Sequence, residues 1–296
     1  MTREFRGENN RRAARFLPCW GGGLVLLLAA IGCGASTEKP AEKTALGLPP
    51  FHLSAREGDL ETVREHLESG TDANVRDIDG NTALHRAARD GRLAIAQLLL
   101  DFRADPDART GSGWTPLHLA IRGDRTEMVE LLLRYSADPN IANAEGAPPL
   151  HLAVMKGNEA MVRHLLTSRP VAEIQKREKE DGTEEYVRVE KGMREADINA
   201  IDSEGRTVLH VAISEGNFGM ASMLLGYAPD VSKADKAGNL PLHLAAAKGP
   251  AHLVQSLIGR GSPVNLRNGA GKTPLDIAYE RGDPRVYEAI AQRAGN

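Results

Sequence analysis

Histidine is the side chain here whose spacing most invites a chemical reading. Of nine histidines, six share one column: His52, His85, His118 and His151 recur at one constant interval, and His210 and His243, followed by Asp276, resume it after one interruption. A row of imidazoles could hold metal, but one histidine per repeated unit sets neighbours at the helix-packing distance, about 8–10 Å. Zinc takes its ligands at about 2 Å, so members of the column cannot share an ion. His66, His164 and His252 fall outside the column and are expected to be solvated. Both cysteines of the chain, Cys19 and Cys33, lie near its start, which leaves the rest of the chain without thiol chemistry. No serine sits in a nucleophile elbow, and no phosphate loop, His-Glu-x-x-His or dinucleotide fingerprint occurs. Asp77 and Asp79 fall where turn tips are expected, and aspartate is favoured there for bonding backbone. The sequence therefore points to no catalytic residue, no cofactor and no metal.

The elements that must carry the histidines are legible in the best copy, Thr115-Pro116-Leu117-His118-Leu119-Ala120. Gly113 supplies a tight turn with a residue free to take positive φ, Thr115 can cap a helix, and Pro116 suits the first helical position, where a missing N–H costs nothing. Leu117 and Ala120 face neighbouring helices. Gly123 with Asp124 reverses the chain into a second helix, apolar along one stripe at Met128, Val129, Leu132 and Leu133. Arg122-Gly123-Asp124 spells an adhesion tripeptide, but it occupies the helix-to-helix turn that other copies fill with a sequence ending in glycine.

These columns resemble the ankyrin repeat family, from about Leu48 to the C-terminus. The resemblance implies an all-α repeat solenoid, a stack of helix-turn-helix units with β-turn tips, here with one inserted loop or hairpin. About seven repeats are expected, near 48–77, 78–109, 110–142, 143–169, 196–235, 236–268 and 269–296. It also implies that the histidines His52, His85, His118, His151, His210 and His243 are structural, bonding within and between turns. Arg103, Ser136 and Ala228 stand in a helix-ending column where Gly70 and Gly261 stand in other copies; positive φ there would cost up to about 1 kcal/mol each. Repeat six is expected to open its second helix at Pro250. Repeat seven should cap its last helix with Asp283 and start it at Pro284.

The interval from His151 to His210 is longer than the others, and the excess is an insertion at approximately 170–195. Ile174 to Lys179 and Glu185 to Glu190 flank Asp181-Gly182, a turn-forming dipeptide, which predicts a protruding β-hairpin. The alternative is a charged loop without fixed structure.

The N-terminal segment reads as an export signal over residues 1–32. Arg3, Arg6, Arg11, Arg12 and Arg15 form a basic region and Leu24 to Ile31 an apolar one. Ala30-Ile31-Gly32-Cys33 resembles the bacterial lipoprotein cleavage box, with Ala30 where leucine is usual. The resemblance implies cleavage before Cys33 and lipidation of that cysteine, and Gly34 after it fits outer-membrane sorting. An uncleaved anchor is the alternative, since no charge occurs from Phe16 to Ala35. Residues 33–47 then read as the lipidated cysteine and a flexible tether. The expected location is exported and membrane-anchored in a bacterial envelope, outer membrane or periplasm rather than inner membrane.

Net charge is −3, with five arginines and two glutamates in the segment that ends at Gly32, so the body from Cys33 onward carries −6. An acidic body argues against nucleic acid. What remains is recognition of a protein by a monomeric scaffold. The resemblance places binding residues on the concave face, in the variable columns at turn tips and first-helix ends. Candidate contacts are Arg76, Ile78, Asn81, Arg109, Trp114, Asn143, Glu145, Glu204, Arg206, Asn239 and Lys272, with Arg89, Asp90, Arg122 and Met155 among the helix ends. Trp114 could anchor an interface or cover the neighbouring turn. Tyr135 and Tyr227 are expected to pack under loops. The expected function is a non-enzymatic protein-interaction scaffold displayed in the envelope. The alternatives are an inhibitor, immunity or stabilising protein for a partner enzyme, then an enzyme using tip carboxylates or a purely structural envelope protein.

Overall fold

The computed structural model describes residues 49–167, 171–178, 184–191 and 194–295. Among them are fourteen helices in seven pairs, interrupted by two strands. The pairs are α1 (Pro50–Glu57) with α2 (Leu60–Glu68), α3 (Ala83–Asp90) with α4 (Leu93–Asp101), α5 (Pro116–Arg122) with α6 (Thr126–Arg134), and α7 (Pro149–Lys156) with α8 (Glu159–Leu166). After β1 (Val171–Glu178) and β2 (Glu184–Lys191) come α9 (Val208–Ser214) with α10 (Phe218–Leu225), α11 (Pro241–Lys248) with α12 (Ala251–Gly259), and α13 (Pro274–Arg281) with α14 (Pro284–Ala294). The fold is an all-α repeat solenoid. The leader, Cys33 and Asp181-Gly182 lie outside the described residues.

Helices of this length are marginal alone in water, so burial must hold them. Leu84, Leu117, Leu209 and Leu242, each preceding its histidine, are completely buried, as are Ala87, Ala120, Ala153, Ala212, Ala245 and Ala278, each two positions past the histidine column. Leucine fills the space between pairs, and alanine lets first helices close on one another. One continuous apolar core results, from Phe51 to Ile290. First helices pack on one another more closely than second helices do. That asymmetry puts the first helices and turn tips on the inner side of the curve. The second-helix row is thinnest between α8 and α10, where the strands leave the stack.

Thr115 caps α5 through its hydroxyl, and Pro116 is the first helical residue. Asp59, Asn158, Asn217 and Asp283 cap α2, α8, α10 and α14 with their side chains. Pro250 departs from expectation: it is the residue before α12, with ψ 152°, and Ala251 begins the helix. The turn after α5 is made by Gly123 and Asp124 as expected, and the two residues divide the work. Asp124, not Gly123, takes the left-handed conformation, with φ 56°. Gly123 is needed for a different reason, because a Cβ there would lie 2.5 Å from the Arg89 carbonyl oxygen.

Arg103, Ser136 and Ala228 adopt φ of 64°, 66° and 52°, the strain expected of that column. Ala228→Gly should therefore stabilise the protein by up to about 0.5 kcal/mol, the left-handed penalty relieved less the entropy glycine adds to the unfolded chain. A urea midpoint unchanged or lowered by this substitution would contradict the assignment.

The inserted segment forms an antiparallel pair, with Val171 opposite Lys191, Ile174 opposite Arg188 and Glu178 opposite Glu184. The two segments expected as strands, Ile174 to Lys179 and Glu185 to Glu190, thus fall on β1 and β2, and each strand begins earlier than expected.

Candidate recognition surface

The histidine column is the framework on which the tips are mounted. His85 Nε2 lies 3.1 Å from the Trp114 carbonyl, His118 Nε2 3.2 Å from that of Ala147, and His210 Nε2 2.9 Å from that of Asn239. A carbonyl only accepts, so Nε2 carries the proton and Nδ1 is left as an acceptor. Nδ1 of His85 accepts from the Thr82 N–H at 3.1 Å and the Thr82 hydroxyl at 2.8 Å, and His118 and His210 repeat this with Thr115 and Thr207. Each imidazole therefore closes its own helix start and holds the next turn. His151 bridges the insertion, reaching the Arg206 carbonyl at 2.8 Å. His52 reaches the carbonyls of Val75 and Asn81, and His243 those of Leu266 and Lys272. All six are buried, and burial holds each imidazole below its usual pKa, at about 4 for His85 and His118.

Where proline replaces threonine the framework is incomplete. Pro49 and Pro148 offer neither N–H nor hydroxyl, and Nδ1 of His52 and of His151 is buried without a partner. Pro148→Thr should restore both bonds to His151. It removes a penalty of about 1–3 kcal/mol against roughly 0.4–1 kcal/mol of chain rigidity lost, for a net gain near 1 kcal/mol. A thermal melt no higher than that of the unsubstituted protein would refute it.

A second ladder escaped the sequence reading. Asn74 Oδ1 accepts the Asp105 N–H at 2.7 Å, Asp107 Oδ1 that of Asp138 at 2.7 Å, Asn140 Oδ1 that of Asp197 at 2.7 Å, and Asn199 Oδ1 that of Asp230 at 2.8 Å. Like the histidines, it spans the insertion. The recurring Asp-x-Asn or Asp-x-Asp text of the inter-repeat loops was its signal. Asp107 is the member with a carboxyl, raised by burial and by the nearby carboxylates of Asp138 and Asp105.

The candidate contacts divide on inspection. Ile78 projects from its tip 77% exposed, and Glu145 and Glu204 are exposed. Arg76 donates to the carbonyls of Gly80 and Arg109, and Arg109 to that of Ala142, so these two arginines stitch successive turns. Asn81 is held by Asp77, Arg206 pairs with Asp202 at 2.8 Å, and Lys272 with Glu280 at 2.6 Å. Asn239 bonds Asp235 and Asn268. Asn143 is a correction. Expected at a tip, it is buried, its Oδ1 accepting the N–H groups of Glu145 and Ala147 to form the turn itself. His66 is another: it is half-buried, with its ring against Phe51 at 5.7 Å. Tyr135 and Tyr227 pack against the core.

Trp114 is half-buried, its ring edge-on to His118 at 5.7 Å and under the Arg122 guanidinium at 5.3 Å. Beside it opens a groove of about 410 Å³ between the second and third helix pairs, lined by Arg86, Arg89, Arg122, Leu119, Asp79 and Asn81 among others. Arg86 was also missed. Its column holds Leu119, Leu152, Val211, Leu244 and Ile277 in later copies, and that lone charge was the available signal. Among the described residues, no cluster of three or more histidine, cysteine, aspartate or glutamate side chains could hold a metal, and no helix is long and apolar enough to cross a membrane.

Paired short helices, left-handed turn tips and a buried histidine joining each pair to the next define a repeat scaffold whose variable residues lie along its tips. A family model described as ankyrin repeats (3 copies) matches residues 19–110, 51–143, 102–180, 142–235 and 181–268, and the chain belongs to the ankyrin repeat family. The ankyrin repeat domain of Bcl-3, described as a unique member of the IkappaB protein family, is similar at 25% identity and TM-score 0.65, over 82% of this chain and 97% of that one. The human ASB11 ankyrin repeat domain is similar at 25% identity and TM-score 0.59, over the same shares. No curated protein matches the chain. Ankyrin repeat domains typically mediate protein–protein interaction, and their fold is generally a non-enzymatic scaffold.

Proposed function

We propose that this protein is a seven-repeat recognition scaffold, tethered in a bacterial cell envelope through lipidated Cys33, that binds a partner protein along its first helices and turn tips. The observation carrying the recognition reading is the doubly tied stack. Histidine and Asp-x-Asn ladders fix each tip against the next, so the surface is organised before a partner arrives and little ordering entropy opposes binding. A specific complex would bury roughly 1,200–2,000 Å². The envelope reading is supported by the basic and apolar leader, by Ala30-Ile31-Gly32-Cys33 and by the tether that follows. The inserted strands add a second surface, at the place where the second helices are least closely packed.

The test is affinity capture from envelope extracts with the full chain, beside a version lacking residues 170–195 and one carrying Trp114→Ala. The expected result is one partner, retained at stoichiometric levels and lost or weakened by at least one change. Absence of any specific partner would overturn the reading. Labelling with palmitate, abolished by Cys33→Ser, tests the anchor separately, and an unlabelled wild-type protein would refute it.

A further inference from the structure

We propose that the groove between the second and third helix pairs binds an acidic segment of the partner protein, a carboxylate meeting Arg122 and its apolar stems resting on Trp114 and Leu119. This rests on the recognition reading above and narrows it to one ligand chemistry.

The groove has the volume of an ordinary ligand site, about 410 Å³ against a usual range of roughly 300–1,000 Å³. Three guanidiniums line it and one carboxylate, that of Asp79. Arginine is thus gathered here on a body that carries −6 from Cys33 onward. The three arginines also differ in what restrains them. Arg86 is bonded to the fully buried carboxylate of Asp77 at 2.5 Å and lies 3.5 Å from Asp79, and Arg89 is bonded to Asp90 at 3.1 Å. Arg122 has no carboxylate within ion-pair distance among the described residues. It is placed instead by the Trp114 ring, 5.3 Å from its centroid.

That difference is chemically specific. Stacking on an aromatic face orients a guanidinium but leaves its N–H edges free, and those edges match the two oxygens of a carboxylate. A carboxylate partner within the protein would have consumed the same edges. Trp114 and Leu119 provide apolar cover on which the methylenes of glutamate, or leucines between acidic residues, can lie. Nucleic acid is the poorer ligand, because an acidic body repels a long polyanion beyond the groove itself.

The experiment uses the full chain carrying Trp20→Phe, which leaves Trp114 as the sole indole of the two in the sequence. It is titrated with a blocked ten-residue peptide of glutamate with leucine at every third position, and with the same peptide carrying glutamine for glutamate. Expected are a saturable change in Trp114 emission, at least tenfold tighter binding of the glutamate peptide, and at least tenfold weakening by Arg122→Gln. Arg122→Lys should recover part of that loss, since it keeps charge without the bidentate edge. Arg134→Gln, an exposed change on α6 outside the groove, should alter affinity less than twofold. Equal affinity for the two peptides, no saturation at millimolar peptide, or indifference to Arg122→Gln and Arg122→Lys alike would overturn the proposal. So would displacement of the peptide by an equal charge of double-stranded oligonucleotide. A captured partner that Arg122→Gln still retains would defeat this inference and leave the scaffold reading standing. A chain that binds the peptide through Arg122 and captures no partner would do the reverse.

Discussion

At pH 5 the protein loses about 2 kcal/mol of stability through each of His85 and His118, by linkage between protonation and unfolding. Both imidazoles have folded pKa values of about 4, set by burial, against 6.5 for the free side chain. The unfolded chain therefore binds more protons below pH 6.5, and stability is full above that value and lost as pH falls towards 4. The structure supplies the reason protonation is excluded. Nδ1 accepts from threonine while Nε2 donates to the next turn, so an added proton on Nδ1 would face a backbone N–H and break a helix start. Burial lowers the other four ladder histidines in the same direction, so acid sensitivity should exceed the contribution of these two alone. Urea midpoints measured from pH 7.5 to 4.5 should fall steeply below 6.5. A flat profile over that window would show that the imidazoles titrate freely. The carboxylates of Asp77 and Asp202 act lower: burial tends to raise them, but their hydrogen bonds win and hold them below the usual value of 3.8, so their loss belongs to more acidic solution.

Leu132→Gly in α6 should destabilise the stack by about 3–6 kcal/mol. Leu132 is completely buried, removal of such a side chain to alanine costs about 2–5 kcal/mol, and glycine in a helix interior adds about 1 kcal/mol. Because each pair leans only on its neighbours, the loss should also divide the molecule, with unfolding in two steps rather than one. Far-ultraviolet dichroism and Trp114 emission, in the Trp20→Phe background, should then report different urea midpoints. Coincident, unshifted transitions would refute the account.

Most of the fold was legible because the same physical demand recurs at each copy. A residue before a helix must cap it, a residue between two pairs must be apolar, and a tight turn needs positive φ, so Thr115, Leu117 and Gly113 announce their roles from spacing alone. The tips were less legible. Asn143 and Glu145 sit close together in the same turn, and nothing in their spacing tells that one folds inward to build it while the other points out. Gly123 is ambiguous for a related reason: glycine marks either left-handed backbone or close approach, and only Arg89, distant in sequence, decides between them. Arg86 and the Asp-x-Asn ladder were readable by column, had each column been compared across copies.

The seventh pair carries Asp276 where other pairs carry histidine. Its carboxylate accepts the Thr273 N–H at 2.9 Å and hydroxyl at 2.8 Å, so it performs the inward half of the imidazole's work. It has no proton to offer outward. A histidine there would present an N–H to any carbonyl that came alongside, including one from another molecule. The aspartate has no such N–H, and its carboxylate lies 3.7 Å from the Arg267 guanidinium instead. At α13 the closure of the helix start is therefore kept, while the outward donor that the histidine column supplies elsewhere is given up.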